Sequence, residues 1–292
     1  MRRRNNIEGV LFSAPYLILF ILFTVIPVLI AIFLSFTRYN ILQAPAFVGL
    51  ENYITLFVKD EIFPVAFKNT LIFAAVTGPI SYLLCFFFAW CLNELTPKVR
   101  AVFTFFLYAP SISGNAYLVW TLIFSSDKYG YANGLLLNLG IIYEPINWFR
   151  NTDYVVPLIL IIIIWMSLGN SFLVFIAGFQ GIDHSLYEAA AMDGVKNRWQ
   201  ELWYVTLPSM KPQLMFSAVM SITSAFSIGD VISGLAGFPS VNYVAHTMQL
   251  HLQDYGNTRF EMGYASAIAT LLFLMMVFTN TIINRLLRRV GQ

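Results

Sequence analysis

The segment EAAAMDGV, residues 188–195, carries distinctive chemistry in an otherwise apolar chain. Leu186, Ala189 and Ala190 share one face of a predicted helix, and the alanines leave that face flat enough for close contact with another surface. Glu188 lies off this face, where its carboxylate can accept hydrogen bonds. These residue types predict a docking surface for a second protein.

Short polar signals on either side of this segment predict where its helices begin and end. Asp183 or Ser185 can cap the first helix, and Gly194 can adopt the left-handed conformation that ends it. Asn197, followed three residues later by Gln200, is typical of a capping box at the start of a second short helix.

Residues 181–212 therefore form a predicted helix–bend–helix elbow, with Asp193 at the bend and Pro208 stopping the second helix. Such an elbow between two membrane spans can receive force from a partner and tilt both spans. The alternative is a surface hairpin that only connects two helices, although a plain connection would be shorter.

The composition indicates that these elements are positioned by membrane helices. The chain has 292 residues, of which 58% are hydrophobic and 11% charged, against about 25% charged in an average soluble domain. The net charge of +2 is too small to suggest nucleic-acid binding. Cys85 and Cys91 would lie on different faces of one helix, so no disulfide is expected.

We predict an all-α, polytopic membrane fold with six transmembrane helices, because six apolar stretches approach or exceed the length needed to cross a bilayer. The first stretch is too long for a signal-peptide core and lacks a small-residue cleavage site. The spans are predicted at 11–36, 69–93, 101–125, 154–179, 212–235 and 263–284.

The distribution of Lys and Arg predicts the orientation of these spans. With the N-terminus inside, 11 of the 17 basic residues fall in inside segments, so both termini are expected in the cytoplasm. Residues 1–10 are then a short cytoplasmic N-terminus, and the elbow at 181–212 is cytoplasmic.

Polar residues within the spans suggest a path for a polar solute. Asn115, Asn170 and Ser224 together are candidates to line it, although for any one of them alone ordinary helix packing is the better explanation. The ionisable residue nearest to mid-membrane is Asp230, close to the end of its span. This scarcity of charge counts against a proton- or sodium-coupled carrier.

Two segments that are predicted to lie outside the membrane carry further signals. Apolar residues with helical spacing in FVGLENYITLFVKD predict an amphipathic helix at the outer membrane interface; they are Leu50, Tyr53, Ile54, Phe57 and Val58. His246 and His251, five apart, have the wrong spacing for a metal pair on one helix face, and no metal site is predicted.

The cytoplasmic segment resembles the EAA loop of bacterial ABC importer permeases, E-A-A-x-x-x-G followed at a fixed distance by L-P-x-x-x-P. The matching residues are Glu188, Ala189, Ala190, Asp193, Gly194, Leu207, Pro208 and Pro212. The resemblance covers nearly the whole chain and is strongest to the carbohydrate-uptake branch, which includes maltose, glycerol-3-phosphate and oligosaccharide permeases. Two positions beside this pattern differ from the residues that are usual in the family. Asp183 stands where proline is usual before the helix, and Val195 stands where alanine commonly follows Asp-Gly.

The resemblance implies an ABC permease domain over residues 11–292, of the type I importer kind, in the bacterial cytoplasmic membrane. It implies three kinds of protein partner: a second permease, expected to be a different chain; two ATPase subunits; and an extracytoplasmic solute-binding protein. Carried over by position, the residues that couple to the ATPase are Glu188, Ala189, Ala190, Asp193 and Gly194.

The resemblance further implies a transport subunit that imports a carbohydrate and is not itself an enzyme. The chain has no G-x-x-x-x-G-K-[ST] phosphate loop, so ATP and Mg²⁺ are expected on the partner ATPase and no cofactor on this chain. The alternatives are a self-contained secondary carrier or channel, which would show intramembrane charges or an internal repeat, and an intramembrane enzyme, which would need a catalytic pair within the spans.

Overall fold

The structure, a computed structural model, describes residues 12–287 and is mainly helical. A short antiparallel ribbon pairs β1 (Thr37–Arg38) with β2 (Ala46–Phe47). The helices are, in chain order, α1 (Phe12–Leu34), α2 (Glu51–Ile54), α3 (Phe63–Asn93), α4 (Pro97–Ile112), α5 (Leu118–Ile123), α6 (Tyr131–Asn138), α7 (Thr152–Met166), α8 (Asn170–Gln180), α9 (His184–Met192), α10 (Arg198–Glu201), α11 (Leu207–Ser209), α12 (Lys211–Phe226), α13 (Gly229–Ala236), α14 (Met248–Gln253) and α15 (Met262–Leu287).

Among residues 12–287, five helical segments are long and apolar enough to cross a membrane, and they overlap five of the six predicted spans. They are Phe12–Leu34, Phe63–Asn93, Thr152–Gln180, Lys211–Ala236 and Met262–Leu287. The predicted cytoplasmic N-terminus, residues 1–10, lies outside the described residues.

The remaining predicted span, 101–125, is not one continuous helix. It divides into α4 and α5, and the backbone at Ser113 is extended, with φ −92° and ψ 113°. Pro110 and the following SISGN sequence explain the break, because proline removes a helical hydrogen bond and Ser, Gly and Asn are poor helix formers. The number of membrane crossings therefore stays a prediction.

Two other spans are interrupted near their middle. The chain leaves the helical path between α7 and α8 at 167–169, and again between α12 and α13 at 227–228. Serine and glycine supply the weak helix propensity at these points. Inside a membrane, such breaks are tolerated where the freed backbone groups are buried in protein or line a cavity.

The described residues form two compact units, and residues 12–63 with 251–273 make up one of them. In this unit the Asn52 amide donates to the carbonyls of Ser35 (2.8 Å) and Thr37 (2.9 Å), which ties α2 to the ribbon. The backbone N–H of Gly263 donates to the carbonyl of Tyr39 at 3.0 Å. A Cβ on Gly263 would collide with the Thr37 carbonyl, so this close approach requires glycine.

Asp60 is the polar centre of the same unit. Its Oδ1 accepts from the backbone N–H groups of Ile62 (2.9 Å) and Phe63 (3.0 Å), while its Oδ2 meets His251 Nε2 at 2.8 Å and the Tyr264 hydroxyl at 2.7 Å. Burial alone would raise the pKa of Asp60, but these hydrogen bonds and the His251 charge hold it well below its ordinary value.

The amphipathic helix predicted from Leu50 onwards forms as α2, which continues as a π turn over Thr55–Lys59. Its apolar stripe points outwards: Ile54, Phe57 and Val58 are exposed, whereas Leu56 is fully buried. The helix prediction is confirmed, and its place at a membrane interface stays a prediction.

The second unit contains residues 64–250 and 274–287 and has two apolar clusters. One cluster joins α3, α7, α13, α14 and the segments that precede the last three of these helices, through Phe73, Phe149, Val155, Ile159, Ile162, Ile163, Ile228, Ile232, Leu235, Ala245 and Leu250. The other joins α3, α8 and α12 through Cys85, Ala89, Leu92, Leu168, Phe172, Phe175, Ile176, Phe179, Ile182, Met210 and Leu214.

Small residues bring α8 and α12 close together. Ser171 Oγ hydrogen-bonds with Ser221 Oγ at 3.3 Å, and a Cβ on Gly178 would lie only 2.7 Å from the Met210 side chain. In a membrane, where apolar side chains gain little by leaving lipid, such close backbone approach and interhelical hydrogen bonding hold helices together. These two helices are the ones that the elbow connects.

Candidate functional site

The first arm of the elbow is α9, and its ends are those that the sequence predicts. Asp183 is the N-cap, its carboxylate accepting from the backbone N–H of Ser185 at 2.9 Å. This bond lowers the pKa of Asp183. At the other end, Asp193 is the C-cap, and Gly194 has a φ of 96°, in the left-handed region.

The second arm begins at α10 and continues through a π turn at Leu202–Thr206 into α11. Asn197 Oδ1 accepts from the backbone N–H of Gln200 at 2.9 Å, which confirms the predicted cap. The Gln200 side chain differs from a standard capping box, because it accepts from the N–H of Lys196 rather than that of Asn197.

The prediction that Pro208 stops this arm was wrong. Leu207–Ser209 is helical, and the turn at Met210 follows it. Pro208 occupies the second position of this short segment, where a missing N–H costs little because the preceding π turn has already changed the hydrogen-bond register.

The two arms are fastened to each other. The Tyr187 hydroxyl hydrogen-bonds with Thr206 Oγ1 at 3.0 Å, joining α9 to the π turn, and Thr206 is buried. The backbone N–H of Val195 closes the bend on the Ala190 carbonyl at 3.0 Å. The elbow is therefore held together both at its bend and between its arms.

The structure brings the five predicted coupling residues together on the outside of this elbow. Glu188, Ala189, Asp193 and Gly194 are exposed, and Ala190 is half-buried. Apart from Gly194 and its two chain neighbours, none of the described residues has an atom within 4 Å of the position that a Cβ on Gly194 would take. This surface is open to another protein, and its contact with an ATPase stays a prediction.

A cavity of about 240 Å³, lined by both hydroxyl and apolar side chains, lies beside the helix breaks in the second unit. Hydroxyl groups from four helices and both breaks surround it, together with small and aliphatic side chains. The hydroxyl residues are Thr77, Ser81, Ser111, Ser167, Ser171, Ser221, Ser224 and Ser227.

The hydroxyls are arranged so that they can accept hydrogen bonds from a guest. Thr77, Ser111 and Ser167 donate to carbonyls of their own helices at 2.6–2.8 Å, which leaves their oxygen lone pairs available. Ser81 Oγ is buried and has no hydrogen-bond partner among the described residues. A buried polar atom of this kind indicates space for water or a polar solute.

The three predicted path residues have different positions. Ser224 lines this cavity. Asn115 lies exposed in the turn between α4 and α5 and does not line the cavity. The side chain of Asn170 lies outside what the structure describes, although its backbone begins α8. The roles of all three stay predictions.

Sequence reasoning missed most of the serines that line the cavity, although their spacing contains a signal. Thr77 and Ser81 are four apart on α3, and Ser221 and Ser224 are three apart on α12. Residues three or four apart share a helix face. A search for repeated hydroxyls on apolar helices would have selected these positions.

Long apolar helices, a hydroxyl-lined cavity at their breaks and an exposed elbow define a multi-pass membrane transport component. The chain belongs to the family of binding-protein-dependent transport system inner membrane components, whose model matches residues 9–292. It is accordingly a transport subunit of the bacterial plasma membrane, within a system that also uses a binding protein.

Individual relatives are similar in sequence to this chain over most of their length, as this family membership implies. The probable ABC transporter permease protein YesP of Bacillus subtilis is 34% identical over 280 residues, covering 94% of this chain and 88% of the relative. The lactose transport system permease protein LacF of Rhizobium radiobacter is 31% identical over 285 residues, covering 94% and 92%. The arabinooligosaccharides transport system permease protein AraP of Bacillus subtilis is 31% identical over 279 residues, covering 93% and 86%.

Solved structures show the same fold. A chain of a bacterial ABC transporter involved in the import of the acidic polysaccharide alginate superposes with a TM-score of 0.77 at 24% identity, with both chains fully covered. A chain of the same kind of transporter, in complex with an alginate pentasaccharide-bound periplasmic protein, gives 0.74 at 22% identity, covering 100% of this chain and 96% of that one.

Proposed function

We propose that this chain is the permease subunit of an ATP-driven importer for a carbohydrate, with an oligosaccharide or sugar derivative as the solute. The observation that carries the proposal is the position of the elbow, whose exposed Glu-Ala-Ala surface connects α8 and α12, two helices that border the hydroxyl-lined cavity. The names of the relatives LacF and AraP support a sugar as the solute.

In the proposed mechanism, closure of two cytoplasmic ATPase subunits pulls on α9 through Glu188, Ala189 and Ala190. ATP and Mg²⁺ are bound by those subunits. Because α8 and α12 are packed together, they tilt as a pair and open the cavity first to one side and then to the other. A partner drives such a change only by contacting one state better than the other.

The proposal includes two further partners and an orientation. A binding protein outside delivers the sugar, and a second permease, which we take to be a different chain, completes the pathway. Both termini lie in the cytoplasm, as does the elbow, in keeping with the distribution of Lys and Arg. Ser224 and its hydroxyl neighbours provide acceptors for sugar hydroxyl groups, and Asn115 and Asn170 remain candidates for other parts of the path.

The test is the ATPase activity of the complete complex in lipid, with and without its binding protein loaded from a panel of oligosaccharides. We expect a loaded binding protein to stimulate the wild type, and Glu188→Ala and Gly194→Pro to lose that stimulation. Glu144→Ala, which removes an exposed carboxylate elsewhere in the chain, is the matched control. Normal stimulation in the Glu188 and Gly194 variants would contradict the coupling role, and uptake by this chain without ATPases would favour a self-contained carrier.

A further inference from the structure

Arg198, the first residue of α10, connects the elbow to a different span. Its Nη1 donates to Glu201 at 2.8 Å within the same arm, and its Nη2 donates to Glu94 at 2.7 Å. Glu94 immediately follows α3, and 104 residues separate it from Arg198. The guanidinium group thus uses separate nitrogens to hold one local carboxylate and one carboxylate from the end of α3.

An aromatic contact joins the same two elements. The rings of Trp90 and Trp199 have centroids 5.1 Å apart, at an interplanar angle of 56°. Trp90 lies four residues before Glu94, and Trp199 follows Arg198, so one turn of each element supplies both the ring and the charge. Tilted aromatic pairs at this separation are favourable beyond the area that they bury.

The end of α3 is held in place by hydrogen bonds from α4. The Arg100 guanidinium, from the first turn of α4, donates to the carbonyls of Leu92 (3.2 Å), Asn93 (2.7 Å) and Leu95 (3.1 Å). These bonds satisfy carbonyls that a helix C-terminus leaves without intrahelical partners. Hydrogen bonds therefore hold the backbone on both sides of Glu94, whose side chain contacts the elbow.

We propose that Glu94–Arg198 and Trp90–Trp199 form a tether that makes α3 move together with the elbow. The tether extends the proposed function, on which it rests, from the two spans that the elbow joins to a third span. α3 supplies Thr77 and Ser81 to the cavity, so motion at the elbow would reach the wall that these residues form. Phe86, on the same helix, contacts both Phe175 and Phe179 of α8 at centroid distances of 5.4 Å.

Each element of the tether is modest in strength. The Arg198 and Glu94 side chains are 63% and 44% exposed, and a pair this accessible to water shifts an equilibrium by about 1.5- to 5-fold. Loss of the Glu94 carboxylate alone should therefore produce a minor population of complexes in which α3 and the elbow are not held together. Loss of Glu94 together with Trp90 should make that population larger.

The test measures the distance between spin labels at Thr96, just beyond α3, and at Met192, at the end of α9, both of which are exposed. Cys85 and Cys91 are replaced by alanine, and the complete complex is compared in its nucleotide-free and vanadate-trapped states. We expect the distance to be the same in both states for the wild type, and a second, longer component to appear in Glu94→Gln.

Glu201→Gln is the matched control, since it removes one carboxylate from the same arginine but leaves the bond to Glu94. It should behave like the wild type, and Glu94→Asp, which keeps the charge, should restore most of the single distance. A wild-type distance that itself changes on trapping, or identical distributions for Glu94→Gln and Glu201→Gln, would overturn the tether.

A reference pair separates this failure from failure of the proposed function. Labels at Met192 and the exposed Tyr129 report whether the elbow moves at all when the complex is trapped. A change in this distance, with the Glu94 and Glu201 variants still identical, overturns the tether alone. An unchanged reference distance overturns the proposed coupling, and the tether with it.

Discussion

Replacing Asp60 with asparagine tests whether the buried contact between Asp60 and His251 holds the first unit together. The side chains of Asp60 and His251 are 5% and 1% exposed, so both have lost nearly all their contact with water. Asparagine keeps an acceptor for the backbone N–H groups of Ile62 and Phe63 but removes the negative charge that faces His251 and Tyr264. Breaking a buried pair by removing one partner costs about 3–5 kcal/mol.

We expect the lower end of that range, about 3 kcal/mol, because asparagine preserves part of the hydrogen bonding. For a chain of this size, such a loss lowers the midpoint of thermal unfolding by roughly 5 °C. Scanning fluorimetry of the purified protein in detergent measures this midpoint. Asp127→Asn is the control, because Asp127 also accepts from two backbone N–H groups but is exposed.

The effect should depend on pH in a definite direction. The folded pKa of Asp60 lies below its unfolded value, so its contribution to stability is complete above about pH 4 and is lost as the pH falls through the folded pKa. The difference between wild type and Asp60→Asn should therefore shrink below about pH 4. Equal midpoints for the two proteins at pH 7, or a difference that grows in acid, would refute this reasoning.

Three further changes test other contacts. Gly263→Ala should lower the unfolding midpoint, because overpacking against a backbone carbonyl costs about 1–3 kcal/mol, whereas Gly256→Ala, with its nearest atom at 3.5 Å, should be tolerated. Asn133→Ala should cost on the order of 3 kcal/mol in the same measurement, since this fully buried amide takes part in five hydrogen bonds. Tyr187→Phe removes the bond to Thr206 and should lower the stimulated ATPase activity of the complex about two- to ten-fold without changing its basal activity.

The sequence predicts the elbow well because its signals are local. The Asp183 cap, the left-handed Gly194 and the Asn197 cap each depend on backbone groups within three residues. Such contacts form whatever the rest of the chain does, so residue types and spacing are sufficient to predict them.

The contacts of Asp60 and Arg198 could not be predicted in the same way. His251 is 191 residues from Asp60, and the spacing rule for metal ligands gives no information about a carboxylate from another segment. Glu94 and Arg198 each resemble ordinary charges at the end of a span. Pairing them requires knowledge of which helix ends lie side by side, and that depends on packing over the whole unit.

The break within the predicted span 101–125 shows that hydropathy alone does not predict whether an apolar stretch is one continuous helix. The stretch is apolar enough to suggest a span, but Pro110 and the Ser-Gly-Asn sequence after it decide the backbone path. The serines at 167 and 227 act similarly, since they coincide with breaks that open space in the unit. Polar residues within spans therefore predict changes of backbone direction better than they predict which side chains face a cavity.

The chemistry of the cavity lining predicts weak and tolerant binding of the solute. Its hydroxyls mostly offer acceptors, and the other lining side chains are small or apolar, so under the proposed function each contact with a sugar would be a single neutral hydrogen bond. A transport path needs such shallow binding, because a solute that is held tightly cannot leave. Removing one hydroxyl should then change uptake of the solute little. A carboxylate without a partner in this buried site should instead be strongly unfavourable.

We therefore expect Ser171→Ala and Ser224→Ala each to change uptake of the stimulating oligosaccharide by no more than about three-fold, as loss of one hydrogen bond implies. Ser221→Asp, which places a carboxylate in the same lining, should abolish uptake, while Ser221→Ala serves as its matched control. Radiolabelled uptake into proteoliposomes that contain the complete complex measures all four. A loss of more than ten-fold in either alanine variant at 171 or 224 would show that the cavity itself selects the sugar through strong, specific contacts. Selectivity would then reside in this chain and not mainly in the binding protein that delivers the solute.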